Sequence, residues 1–226
     1  SALTCPIITS QTEYETSEQK IKKREIESQE NNLIYLKSGI CRLTNISHFR
    51  KVILSQDGFN VESISNDPNF VGRANSSEYG VEDPRIVYID GKYFMTYVSV
   101  SVRTGVSSCL AVSRDLDKWE RKGVIFREQN KDSVLFPEKI NGRYMALNRP
   151  EVFYDFHRPG VWISYSPDLV YWGRENSLFF SRGNSWENER IGAGAPPIRI
   201  KEGWLLIYHG VENKDGGNIY SVGVIL

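Results

Sequence analysis

Arg85-Ile86-Val87-Tyr88-Ile89-Asp90-Gly91-Lys92-Tyr93-Phe94-Met95-Thr96-Tyr97-Val98-Ser99-Val100 decides the reading of the fold. Two runs of β-branched and aromatic residues flank one Asp-Gly pair, which supplies the two positive-φ positions of a type I′ turn. The stretch reads as a β-hairpin. The same signature recurs at Asn141-Gly142, between LFPEKI and RYMALN, and a further turn falls at Glu202-Gly203, so the turns lie 51 and 61 residues apart.

A second marker alternates with the hairpins. It runs Ser55-Gln56-Asp57-Gly58-Phe59, then Ser113-Arg114-Asp115-Leu116 with Trp119, then Ser166-Pro167-Asp168-Leu169 with Trp172, at separations of 58 and 53 residues. Two markers sharing a period of roughly 50–60 residues are the expected sign of four-stranded propeller blades. One blade is predicted in full, with an inner strand over 85–90, then strands over 92–99, 108–113 and 119–126. A β-sandwich would also alternate short strands, but it carries no such repeat. No αβ alternation runs along the chain, which sets aside Rossmann and TIM architectures.

The rest of the sequence bounds the function. Lys+Arg and Asp+Glu both number 28, so the 226-residue chain has no surplus charge with which to hold nucleic acid or an anionic membrane. No run approaches the ~20 apolar residues that span a bilayer. Ser1–Ser10 lacks the basic start and apolar core of a signal peptide, so a cytoplasmic location is favoured, with the periplasm open to a chain whose signal has been removed. Cys5, Cys41 and Cys109 are too few and too dispersed for a disulfide framework or a metal cluster, and no residue pattern calls for a metal. Residues 10–32 are almost wholly polar and read as a solvated helix or a disordered arm. The expected organisation is residues 1–32 as a polar arm or the remnant of a first blade, followed by a propeller domain over 33–226.

Inner strands of a propeller surround its axis, so residues leading into them converge on one pocket. Three such segments are rich in charge, Pro or Gly: Tyr79–Arg85, Lys131–Lys139 and Ile191–Pro197. A carboxyl group in a partly desolvated pocket is suited to donate a proton to a glycosidic oxygen, whereas Asp83 beside Arg85 equally suits a structural ion pair. Tyr79, Trp162, Trp186 and Tyr208 are candidates to stack on sugar faces or to pack in the core.

Six segments in order carry a resemblance: Gly80-Val81-Glu82-Asp83-Pro84-Arg85, Lys131-Asp132 with Leu135–Lys139, Asn148-Arg149-Pro150, Trp162–Asp168, Gly192–Pro197 and Trp204–Gly210. Together they resemble the signature blocks of glycoside hydrolase family 130, the β-mannoside phosphorylases and β-mannosidases. The resemblance implies a five-bladed propeller, apparently incomplete in this chain, acting on β-mannosides with inversion. It implies Asp83 as proton donor, Glu82, Arg85, Asp132, Tyr208 and His209 as sugar contacts, and Lys131, Asn148 and Arg149 around inorganic phosphate. Phosphate is then the co-substrate, mannose 1-phosphate the product, and no cofactor is required. The family often has His-Arg-Pro where this chain has Asn148-Arg149-Pro150, and Asn binds phosphate without a charge. Hydrolysis therefore stays open, with Glu151, Glu187 or Glu189 as the carboxylate that activates water, as does a catalytically silent carbohydrate-binding propeller. The family's opening and closing blades have no counterpart here. An open ring exposes strand edges, so a homo-oligomer or another covering partner is expected of a folded form.

Overall fold

The computed structural model describes residues 2–10, 15–77, 79–152, 154 and 156–226. Residues 11–14 of the polar segment lie outside the described residues. The chain is all-β, of the propeller type, and divides into two compact units: residues 1–82 with 99–105, and residues 83–98 with 106–226.

The first unit holds β1 (Ala2–Ile8), β2 (Thr16–Lys22), β3 (Ile26–Glu30), β4 (Leu33–Leu36), β5 (Cys41–Leu43), β6 (Val52–Leu54) and β7 (Val61–Ile64), paired as β1-β2, β3-β4-β5 and β6-β7. Within the polar segment, β2 and β3 are strands joined by one 3₁₀ turn at Lys23–Glu25, in place of the expected solvated helix or arm. The segment's apolar residues are sparse but correctly phased: Ile21 of β2 is buried with Cys5 of β1 and with Ile34 and Leu36 of β4. Strands borrow a core from their neighbours in this way, which local composition does not reveal.

Three successive sheets follow, lying mostly in the second unit. The first is β8 (Val81–Ile89), β9 (Lys92–Ser101), β10 (Gly105–Ser113) and β11 (Glu120–Phe126), in the order β11-β10-β9-β8. It is the blade read from sequence, with each strand extended or trimmed by a few residues at its ends. The second is β12 (Asn130–Leu135), β13 (Tyr144–Pro150), β14 (Gly160–Ser166) and β15 (Gly173–Phe180), paired in that order. The third comprises β16 (Arg190–Ala193), β17 (Ile198–Ile200), β18 (Gly203–Lys214) and β19 (Gly217–Ile225).

Turn chemistry closes the hairpins as expected. Asp90 and Gly91 have φ of +47° and +79°, Asn141 and Gly142 +52° and +77°, and Asp215-Gly216 repeats the pattern between β18 and β19 at +52° and +79°. In the third sheet both β16 and β17 pair with β18, so one inner strand is broken at Gly194-Ala195-Pro196-Pro197. Two successive prolines have no N–H to donate, and the ladder resumes only beyond them.

Apolar layers lie between consecutive sheets. Val87, Ile89, Leu110 and Phe126 of the first sheet pack with Leu135 and Ala146 of the second. Val134, Leu147, Val161 and Ile163 of the second pack with Ile191, Ala193, Leu206 and Tyr208 of the third. Each Val, Leu, Ile or Phe among them contributes about 1.5–3 kcal/mol on burial. These layers hold β8, β12 and β16 in place as inner strands.

Candidate active site

Two aspartates in successive inner strands stand in the left-handed region: Asp83 of β8 at φ +54° and Asp132 of β12 at φ +55°. Asp and Asn enter this region more readily than other residues with a side chain. At Asp132 the cause is a bulge. Lys131 pairs with Arg149 and Val134 with Leu147, so Asp132 and Ser133 together face only Asn148 across the ladder.

The result is a buried ionic cluster. Asp132, 5% exposed, accepts from Arg85 Nη2 at 3.0 Å on Oδ1 and from Arg149 Nε at 2.8 Å on Oδ2. Arg149, itself 5% exposed, also donates from Nη1 to Glu151 Oε2 at 3.0 Å. Arg85 donates through Nε to the Gly194 carbonyl at 2.9 Å, through Nη2 to the Ala193 carbonyl at 3.2 Å, and through Nη1 to the Asp83 carbonyl at 3.2 Å. One guanidinium thereby ties β8 to β12 and to the broken inner strand of the third sheet. His209 Nε2 lies 3.8 Å from Asp132 Oδ2.

Electrostatics follow from this packing. Burial opposes ionisation of Asp132, but Arg149 and Arg85 outweigh it and hold the carboxyl below its ordinary value. Burial likewise opposes the charge on Arg149, and Asp132 more than restores it. His209 is pushed below its ordinary value, first by burial and then by Arg149, Arg85 and Arg190, against the pull of Asp132. This favours the neutral imidazole.

Above the cluster opens a cleft of about 750 Å³. Asp83, Arg85, Lys131, Asp132, Arg149, Glu151 and His209, all singled out from sequence, line it together. Asp83 is exposed in the cleft. Gln129, Arg190 and Tyr220 complete the polar wall and were not anticipated. Arg190 Nη2 donates to Tyr220 Oη at 2.7 Å, and the Tyr220 ring lies 5.8 Å from that of His209. A signal for Tyr220 existed: folding the chain about Asp215-Gly216 sets Val211 opposite Tyr220 and His209 opposite Val222. The wall carries four cations, Arg85, Lys131, Arg149 and Arg190, against three carboxylates, Asp83, Asp132 and Glu151.

Other candidates stand elsewhere. Asn148 is 2% exposed, accepts from Asn130 Nδ2 at 2.9 Å and donates to Ser164 Oγ at 2.8 Å, so both ends of its amide serve the blade interior. Tyr208 is buried in the second apolar layer and donates to Glu187 Oε2 at 2.9 Å. Glu187, 2% exposed, also pairs with Arg182. Glu189 is exposed beside Arg190 and, like Glu187, does not line the cleft. Glu82 falls in the first unit. Tyr79 donates to the Cys41 carbonyl at 2.6 Å, and Trp186 packs against the layer that holds Tyr208. Trp162 is half-buried in β14, with the His157 ring 6.5 Å away. Among the described residues no group of His, Cys, Asp and Glu is arranged to hold a metal ion, and none of the three cysteines is in a disulfide.

Comparison with known proteins finds one family over most of the chain. Residues 44–226 match the glycoside hydrolase family 130 model, described as beta-1,4-mannooligosaccharide phosphorylase. The chain is 42% identical over 175 residues to a 1,2-beta-oligomannan phosphorylase of Thermoanaerobacter sp. (strain X514), covering 76% of this chain and 55% of that protein. It is 35% identical over 188 residues to a beta-1,2-mannobiose phosphorylase of Listeria innocua, covering 83% and 51%. The solved complex of a Listeria innocua beta-1,2-mannobiose phosphorylase with beta-1,2-mannobiose aligns with a TM-score of 0.82 at 30% identity, over 99% of this chain and 62% of that one. The chain spans about half the length of these curated relatives.

Proposed function

The chain belongs to glycoside hydrolase family 130, and from that premise we propose that the protein cleaves β-mannosides, β-1,2-linked ones first, by phosphorolysis to mannose 1-phosphate. The observation that carries this reading is the company Asp83 keeps: one cleft holds an exposed carboxyl group and a wall in which cations outnumber carboxylates. An anionic co-substrate suits such a wall, and guanidinium and ammonium groups are the natural holders of phosphate.

In the proposed reaction a phosphate oxygen attacks the anomeric carbon from the face opposite the glycosidic bond. The bond to the leaving sugar breaks, and its oxygen takes the electron pair and the proton of Asp83. A β-mannoside thus yields α-mannose 1-phosphate by inversion, with Asp83 left as a carboxylate. Lys131 and Arg149 hold the phosphate and screen its approach. The phosphate serves as its own nucleophile, so no protein base is called upon. Asn148, bonded inside the blade, has no part in this scheme.

Hydrolysis is the second reading, because Glu151 shares the cleft with Asp83 and is exposed. Incubation of the full-length protein with β-1,2- and β-1,4-mannobiose, with and without phosphate, tests both. Mannose 1-phosphate formed only with phosphate supports phosphorolysis. Free mannose without phosphate supports hydrolysis through Glu151, and no product in either condition leaves a carbohydrate-binding propeller.

A further inference from the structure

Asp132 has the sequence position of a sugar contact and the surroundings of something else. Both of its oxygens already receive guanidinium donors from different strands, at 3.0 Å and 2.8 Å, and only 5% of its surface is exposed. The third sheet closes over the same carboxylate. Gly192 lies so near that a Cβ there would stand 2.1 Å from Oδ2, and His209 Nε2 is 3.8 Å from that oxygen. Little of this carboxylate is left for a hydroxyl group of a ligand to reach.

We propose that Asp132 is a positioning residue for the anion pocket, not a sugar ligand. Its carboxylate holds Arg149 by Nε while Glu151 holds Nη1, which fixes the guanidinium at the wall of the cleft. It also clamps Arg85, whose Nη1 supports the backbone carbonyl of Asp83 at 3.2 Å. A planar fork with its Nε–H engaged loses little further freedom on binding an oxyanion. The left-handed bulge serves this arrangement, because it carries the carboxyl group between Arg85 of β8 and Arg149 of β13. The proposal rests on the phosphorolytic reading of the cleft.

The test is Asp132→Asn in the full-length protein, with KM determined separately for phosphate and for β-1,2-mannobiose. The expected result is a rise in the phosphate KM of about tenfold or more, with the mannobiose KM within about twofold of wild type. In ¹⁵N spectra the Arg149 Nε–H signal should be slow to exchange in wild type and lost in the variant. A mannobiose KM that rises while the phosphate KM stands still would overturn the proposal, as would an Arg149 Nε–H equally protected in both proteins. Where Asp132→Asn does not fold, Gly192→Ala, whose methyl group crowds the same carboxylate without removing its charge, is read the same way. Absence of mannose 1-phosphate from wild type would sink the phosphorolytic reading by itself. The Nε–H comparison and calorimetric titration with inorganic phosphate would still decide the role of Asp132.

Discussion

A Cβ on Gly192 would stand 2.1 Å from Oδ2 of Asp132 and 2.7 Å from Cε1 of His209. The glycine is required by close approach, not by its backbone angles. Yielding to a methyl group would mean pulling the carboxylate off Arg149 or shifting β16 away from β12. Gly192→Ala is therefore expected to cost about 1–3 kcal/mol in urea unfolding, as overpacking of a tight interior does. Gly173 is the control: nothing lies within 4 Å of where a Cβ would stand. Gly173→Ala should fall within about 0.5 kcal/mol of wild type or stabilise slightly.

Acid should weaken the fold partly through Asp132. Its folded-state pKa is depressed by Arg149 and Arg85 despite burial. Such a group contributes stability that is fully present above its unfolded pKa, near 3.9, and is lost as pH falls from there through the folded value. Urea midpoints recorded downward from pH 6 should drop more steeply below about pH 4 in wild type than in Asp132→Asn. The variant should already be weaker by roughly 3–5 kcal/mol at pH 7, since two guanidinium groups lose their shared anion.

His209 offers a second titration with the sign worked from its neighbours. Burial, Arg149, Arg85 and Arg190 lower its pKa, and Asp132 raises it; the Tyr220 ring lies beside it. In wild type the imidazole should stay neutral down to below about pH 6.5, and its contribution to stability is lost as pH falls through that region. Removing the Asp132 charge should lower the value further. Imidazole proton shifts followed from pH 8 to pH 4 would show it; a midpoint that rises in Asp132→Asn would contradict the cluster as described.

What was legible in the sequence was what the chain settles locally. Ser113 and Asp115, like Ser166 and Asp168, bond backbone N–H groups two and three residues ahead of them, so the turn is complete within one short segment and repeats wherever the segment does. The Asp-Gly and Asn-Gly hairpins are of the same kind. The ionic cluster is different in kind. Arg85 reaches Asp132 across 47 residues and the Gly194 carbonyl across 109, and no local pattern states that a guanidinium will meet a carbonyl that far along the chain. Likewise Asn148 and Tyr208 sit in the expected blocks, but the pleat turns them inward. Alternation along a strand tells which residues share a face, and the fold decides which face meets the cleft.

Tyr208 tests that distinction. Its hydroxyl donates to Glu187, which is buried and otherwise pairs with Arg182. Burial and the bond to Glu187 push the phenol above its ordinary pKa. Tyr208→Phe keeps the ring in its apolar layer but removes a partner from a buried carboxylate, which should cost about 1–3 kcal/mol. A structural tyrosine predicts this loss with an unchanged mannobiose KM; a sugar ligand predicts a raised KM and little loss in stability.

Asp83 is the residue on which the proposed chemistry turns, and its backbone permits a clean substitution. At φ +54°, with Arg85 Nη1 on its carbonyl, the position tolerates Asn almost as well as Asp, so Asp83→Asn should preserve the strand and remove only proton donation. Asp83→Ala would confound the two, because a side chain without a polar tip pays about 1–2 kcal/mol to hold that conformation. For Asp83→Asn, kcat on β-1,2-mannobiose should fall by about 10²–10⁴-fold at an unchanged melting temperature. An aryl β-mannoside with an acidic phenol needs little help in departing, so its rate should fall far less. Equal losses on both substrates would mean that Asp83 orients the sugar, and an unaltered rate on mannobiose would mean that the proton comes from elsewhere in the cleft.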